Sequence, residues 1–460
     1  MKTLFIFLSV ILFSIKINAQ SFCFYDPNSG PIYNNGSSGA IYDVTTGDFN
    51  SDGHLDIVTA NSVGSNISFI PGVGNGTLGI PDTTHVPGVL FCITSADFNN
   101  DTKLDIAVGN SGNVSLLFGN GNGTFQPDSS YPTSSASRLY AKDINNDNFP
   151  DLIEATQTGV FILINQGNGT FFPPAQYINN FGISDVTIGD FDNDAILDIV
   201  STTRVSFTVS VLSFLKGNGN GTFAAPISNS VPDYSIFGIN SEDIDHDGKR
   251  DLLVANLNNS IRRMEIYFGN GNGTFNAPAF YSTFNNPSYV YLADFNNDLI
   301  NDIAVPEGSG FSLLKGNANA TFGVFQNFVA EPDPNSLAIG DYNEDGQMDV
   351  IIPSAYFGLG YVTVNLNCTA TGIENISPTE NSLLSAFPNP FSMETILKTN
   401  TNLNNANLII YNTLGQEIKT LENISGNEIK LERDNLSSGI YFIHLVENDK
   451  IIGTGKFMVE

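Results

Sequence analysis

Short runs in which apolar and polar residues alternate, or β-branched residues follow one another, recur along most of the chain and read as strands. One unit shows the plan. Asp185-Val186-Thr187-Ile188-Gly189 alternates, Leu197-Asp198-Ile199-Val200-Ser201 forms a second short strand, and Val209 to Leu215 forms a third. A turn follows at Gly217-Asn218-Gly219-Asn220-Gly221-Thr222-Phe223, where Asn-Gly pairs tolerate the positive φ of a tight hairpin. The turn recurs at Gly119, Gly167 and Gly269 and, in degenerate form, at Gly72 and Gly316. Pro127, Pro173, Pro226 and Pro278 mark a fourth segment; a missing N–H costs no ladder bond on an outer edge strand.

Between the first and second strands of each unit lies an acidic loop of the form D-x-[DN]-x-D-x-x-x-D. Its copies begin at Asp48, Asp97, Asp143, Asp190, Asp243, Asp294 and Asp341, at spacings of 49, 46, 47, 53, 51 and 47 residues, the length of a four-stranded propeller blade. An open solenoid would also keep a fixed period, but the ends of this array are complementary. After the seventh loop, Tyr361 to Leu366 supplies a third strand and the chain leaves without a turn and fourth strand, while Phe22 to Tyr33, similar to Phe125 to Tyr131, stands ahead of the first unit. The expected fold is all-β: a seven-bladed β-propeller over residues 21–370, closed by an N-terminal strand that completes blade seven. Under that alignment Cys23 and Cys368 fall on either side of the missing turn, close enough for a disulfide.

Alternate residues of a tight loop point their oxygens at one centre, and calcium takes six to eight oxygen ligands. Positions 1, 3, 5 and 9 would supply side chains: Asp48, Asn50, Asp52 and Asp56; Asp97, Asn99, Asp101 and Asp105; Asp143, Asn145, Asp147 and Asp151; Asp190, Asp192, Asp194 and Asp198; Asp243, Asp245, Asp247 and Asp251; Asp294, Asn296, Asp298 and Asp302; Asp341, Asn343, Asp345 and Asp349. Position 7 would offer its backbone carbonyl, at His54, Lys103, Phe149, Ile196, Lys249, Ile300 and Gln347. Up to seven calcium ions are expected. An EF-hand needs a Glu at position 12 between two helices; here that position is Thr59 in the first loop, and strands flank every copy. Position 6 is Gly53, Gly248 and Gly346 in three loops but Thr102, Asn148, Ala195 and Leu299 in the others. Thr, Ala and Leu take a left-handed turn only with strain, so weaker binding is expected in loops two, four and six, partly offset in the fourth by Asp192.

Charge sharpens this picture. The chain has 18 Lys+Arg against 47 Asp+Glu, a formal net charge of -29, which disfavours nucleic acid and anionic membranes as partners. About half of the acids lie inside the loops at fixed offsets, which a merely solvated surface would not produce. The first twenty residues, with Lys2, an apolar run from Leu4 to Ile15 and Asn18-Ala19-Gln20, read as a secretory signal peptide; no later segment is long enough for a membrane span. Cys92, beside Phe91 and Ile93, reads as core packing.

Loops such as Asp243-Ile244-Asp245-His246-Asp247-Gly248-Lys249-Arg250-Asp251, with Phe268-Gly269-Asn270-Gly271-Asn272-Gly273-Thr274-Phe275 downstream, resemble FG-GAP/VCBS-type propeller repeats, a family similar to the integrin α-chain propeller. The resemblance implies calcium in the loops, and adhesion or ligand binding more often than catalysis. Residues 371–385 lose the periodicity and read as a linker. Beyond it, Phe387-Pro388-Asn389-Pro390, Asn407 to Tyr411 with Leu414-Gly415, Ser438-Gly439-Ile440-Tyr441 and Lys456 predict a small β-sandwich over residues 386–460. In this order they resemble the type A sorting domain of the type IX secretion system, which implies export by that machinery and a secreted or outer-surface location. The expected function is a monomeric, calcium-binding adhesion module for a glycan or protein. Rivals are a polysaccharide lyase or hydrolase using the propeller channel, for which no G-x-S-x-G, H-E-x-x-H or G-K-[ST] motif is present, and a structural spacer.

Overall fold

The second strand of each unit carries an apolar run behind its leading Asp and is buried at nearly every position, inside a sheet packed on both faces. Asp56–Asn61, Asp105–Asn110, Asp151–Thr156, Asp251–Asn256 and Asp302–Glu307 are buried at every position, whereas outer strands such as Asp82–His85 and Ser129–Pro132 are mostly exposed. The computed structural model describes residues 22–24, 32–38, most of 40–368 and most of 385–459. The expected signal peptide and all but the last residue of the expected linker lie outside these. Two compact units result, Met1–Thr371 and Gly372–Glu460.

In the first unit the described residues form seven four-stranded antiparallel sheets. Blade one is Ile41–Gly47, Asp56–Asn61, Asn66–Ile70 and Asp82–His85, paired in sequence order. Each blade packs on the next through an apolar cluster. Phe49, Val58 and Ile67 of blade one meet Leu90 and Ile106 of blade two, and the series continues to Tyr342, Ile351 and Val362 of blade seven, which pack on Ile41, Ile57 and Ile70 of blade one. The β-propeller therefore closes on itself.

Blade seven is built from both ends of the array. Its outer strand is Ile32–Ser38, paired antiparallel with Leu359–Asn365. This lies later than the expected Phe22 to Tyr33, of which Phe24 makes one bridge to Asn367. That bridge is the counterpart of Phe125 to Gly119 in blade two. There too the paired outer strand begins later, at Ser129; such strands are exposed, so no alternation marks their start. For the same reason Pro226 and Pro278 sit just ahead of the outer strands Ile227–Val231 and Ala279–Ser282, not within them: a residue without N–H is best placed where pairing has yet to begin.

The second unit is a five-stranded antiparallel sheet. Glu394–Tyr411 and Glu417–Glu432 pair along their length with register shifts between Lys398 and Leu408, and a bridge from Phe391 to Val459 joins outlying parts of the sheet. Leu397, Ile429 and Leu431 from one half share a core with Ile410, Ile443 and Phe457 from the other. The two faces of the expected sandwich are thus halves of one bent sheet.

Candidate metal centres

All seven loops have one backbone course. Position 6 has positive φ whatever residue stands there: 89° at Gly53, 69° at Thr102, 64° at Ala195, 68° at Leu299. Position 4 is left-handed as well, at Ser51, Asn100, Asn146, Asn193, His246, Asn297 and Glu344, a second reversal that the glycine pattern did not disclose. Asn, which supplies four of these seven, is the residue that most readily takes this conformation after Gly.

The side chains at positions 1 and 5 are fixed by the loop's own backbone. The two oxygens of the first aspartate accept the N–H groups of positions 5 and 6 at 2.7–3.1 Å in every copy. Oδ1 of position 5 accepts the N–H of position 7 at 2.9–3.0 Å. Position 7 is thus tied by its amide, while the His54 ring reaches Glu344 of loop seven at 2.5 Å.

Position 9 is buried in every copy. Its Oδ2 accepts the N–H of position 2 at 2.9–3.2 Å, and its Oδ1 accepts an N–H from the turn after the third strand at 2.7–2.9 Å. One carboxylate therefore clamps loop to turn across the blade. Burial pushes it above the usual range, to about 6 at Asp56, Asp105, Asp151, Asp198 and Asp251 and to about 7 at Asp302 and Asp349, against the pull of those amide bonds.

The donor set suits a hard divalent cation. Every side chain offered is an oxygen donor, and each carboxylate oxygen that accepts one N–H retains a lone pair. Oxygens of Asp190, Asp192 and Asp194, and of Asp243, Asp245 and Asp251, lie within 4.8 Å of one another; in the other five loops position 3 is Asn. Cationic side chains reach loop carboxylates in four blades: within their own loops Lys249 bonds Asp247 at 2.5 Å and Lys103 lies 3.7 Å from Asp101, and two further lysines enter from beyond the third strand. Lys216 bonds both Asp192 and Asp194, the latter at 2.6 Å, and holds the Asp194 carboxyl below its ordinary value. Lys315 lies 3.0 Å from Asp298. Both precede the turn glycine, where the other blades have Pro71, Phe118, Ile164, Phe268 and Leu366; that contrast was the available sign.

Cys23 and Cys368 are disulfide-bonded, with Cα atoms 4.9 Å apart, and Cys92 is a buried free thiol. Cys368 N–H donates to Cys23 O at 2.8 Å, as Asn120 N–H does to Thr124 O at 2.9 Å in blade two. The disulfide stands where the other blades have a continuous turn.

A model of the FG-GAP-like repeat matches residues 97–153, 143–201 and 243–305, and one of the secretion system C-terminal sorting domain matches 385–460. Among solved structures the chain is similar to the BP39L lectin from Burkholderia pseudomallei (11% identity over 71% of this chain and 95% of that one, TM-score 0.54). It is also similar to BBS1N in complex with ARL6DN (12%, 76% and 98%, TM-score 0.50) and to an Agrocybe aegerita lectin described as recognising non-reducing terminal N-acetylglucosamine (16%, 69% and 85%, TM-score 0.46). At these identities the likeness speaks for the fold. No curated protein matches. The chain thus carries FG-GAP-like repeats in a β-propeller and ends in a type IX secretion sorting domain, the mark of proteins exported to the cell surface or extracellular space.

Proposed function

We propose that this exported protein is a calcium-dependent binding module, holding a glycan or protein ligand at the surface of the cell or in its surroundings. The observation that carries the calcium reading is the sevenfold recurrence of one loop geometry, in which the backbone presets the oxygens at positions 1 and 5 beside the buried clamp at position 9. Side chains at positions 1, 3, 5 and 9 would hold the ion, with the position 7 carbonyl completing its shell. The bound ion would neutralise carboxylates that otherwise repel one another in so small a space. Asp243, Asp245 and Asp251, with Gly248 at the reversal, bring three carboxylates together in loop five, where an ion would have to displace Lys249 from Asp247.

Non-catalytic binding is favoured because the repeat acids are engaged in holding their own loops, and because the fold is shared with a lectin. The test is an array of glycans and candidate proteins probed with the full chain in calcium and in chelator. Calcium-dependent capture supports the module. Turnover of a polysaccharide by the purified chain would replace it with the lyase or hydrolase reading.

A further inference from the structure

The seven loops repeat, but the centre of the propeller does not. Counting back from the first aspartate of each loop, the fifth residue is Asp43 in blade one, Arg138 in blade three, Asp185 in blade four and Tyr289 in blade six. These four meet in one place. Arg138 Nη1 lies 2.9 Å from Asp43 Oδ1, and its guanidinium carbon sits 3.4 Å from the centre of the Tyr289 ring. One arginine thus spans from blade three to blades one and six. It is 7% exposed and Asp43 10%, so the group is a buried floor across the channel. Both acids are further held by backbone amides, from Ile93 to Asp43 Oδ2 at 3.2 Å and from Ile239 to Asp185 Oδ2 at 3.0 Å.

Above this floor, towards the acidic loops, a cavity of about 450 Å³ is lined by the first strands of the blades, within the size range of small-molecule sites. The third residue back from six of the seven loops lines its wall: Thr45, Thr94, Tyr140, Thr187, Asn240 and Tyr291. All six are hydroxyl or amide side chains. Each hydroxyl can donate and accept. Tyr140 spends its proton on Asp185 Oδ1 at 2.7 Å, and Tyr291 accepts the Leu337 N–H at 3.1 Å and keeps a proton to give.

The geometry points to this cup as a binding site for a neutral, polyhydroxylated ligand, a monosaccharide or the terminal sugar of a glycan. The inference rests on the binding-module reading and supplies its location. A free anion would face Asp43 and Asp185, and a free cation would face Arg138. A ligand whose own groups both donate and accept can satisfy a ring of hydroxyl and amide side chains.

The experiment uses the full chain in calcium and six probes: the methyl glycosides of glucose, galactose, mannose, fucose, N-acetylglucosamine and N-acetylgalactosamine. Binding is read by saturation-transfer NMR and titration. At least one probe is expected to bind. Thr94→Phe, which fills the cup, should weaken it tenfold or more, and Tyr291→Phe, which removes one hydroxyl, about threefold or more, with both variants folded as judged by a cooperative thermal melt. Should Thr94→Phe misfold, Tyr291→Phe decides alone. A probe that binds folded variants as well as wild type overturns the cup and leaves the binding module standing. Binding by none of the six also overturns the cup, whereas the module itself falls only if the calcium-dependent array is empty as well.

Discussion

Glu154 occupies a second-strand position where the other blades carry Thr59, Val108, Ser201, Val254, Val305 and Ile352. It is fully buried, neither of its carboxylate oxygens meets a hydrogen-bond donor among the described residues, and burial pushes its carboxyl up to about 8. The folded chain therefore keeps a proton that the unfolded chain loses near the ordinary glutamate value of 4.5. Stability from this group should fall as pH rises from about 4.5 to about 8 and then level off. Glu154→Gln is expected to melt several degrees above wild type at pH 8–9 and to match it near pH 4.5, as thermal melts across that range would read. Glycines offer a second residue-scale test. Gly53 and Gly123 both have positive φ, but a Cβ at Gly53 meets nothing within 4 Å, whereas one at Gly123 would sit 2.3 Å from the Phe69 ring of the neighbouring blade. Gly53→Ala should cost about 1–2 kcal/mol from backbone strain alone. Gly123→Ala should cost about 1–3 kcal/mol more from overpacking, measured by denaturant unfolding. The acidic loops were legible at this scale because their chemistry is local. Glu154 was not singled out, because nothing in its neighbourhood along the chain says that it will be enclosed.

The loop and turn of a blade form one element although some ten residues or more separate them. The position 9 carboxylate joins them, and in the sequence it appears only as the last acid of a motif. Its double attachment gives a reason for Asp at that place whether or not an ion is bound. The loops also differ in ways that the position 6 residue alone does not capture. Asp192 reads in sequence as an added ligand for loop four, but it is bridged to Asp194 by Lys216, and Lys315 reaches into loop six in the same way. A tethered ammonium competes with a divalent ion for those oxygens. On the calcium reading, Lys216→Met and Lys315→Met should each raise calcium affinity at their own loop by about tenfold, or add one ion to the stoichiometry, as isothermal titration would measure. Unchanged binding in both variants would show that the lysines swing clear.

Across the whole propeller, closure depends on the two ends of the repeat array meeting in blade seven. The disulfide spans 345 residues, and the chain-entropy account gives such a link on the order of 5 kcal/mol, with native cases often lower. Cys23→Ser with Cys368→Ser should lower the melting temperature and increase proteolysis near the N-terminal strand, while leaving the sorting domain's export unchanged. Fusing residues 386–460 to a periplasmic reporter should carry it to the cell exterior; retention would remove the sorting role from this segment. The sequence by itself determined the repeat, the strand order within a blade, the acidic loops and the identity of the tail, since each of these is written in residues a few positions apart. Only the tertiary structure decided where the outer strand of blade seven begins, which lysines enter the loops, and that Asp43, Arg138, Asp185 and Tyr289 meet at one level. Those facts depend on contacts between blades or across them, and a ring brings together side chains that no local pattern relates.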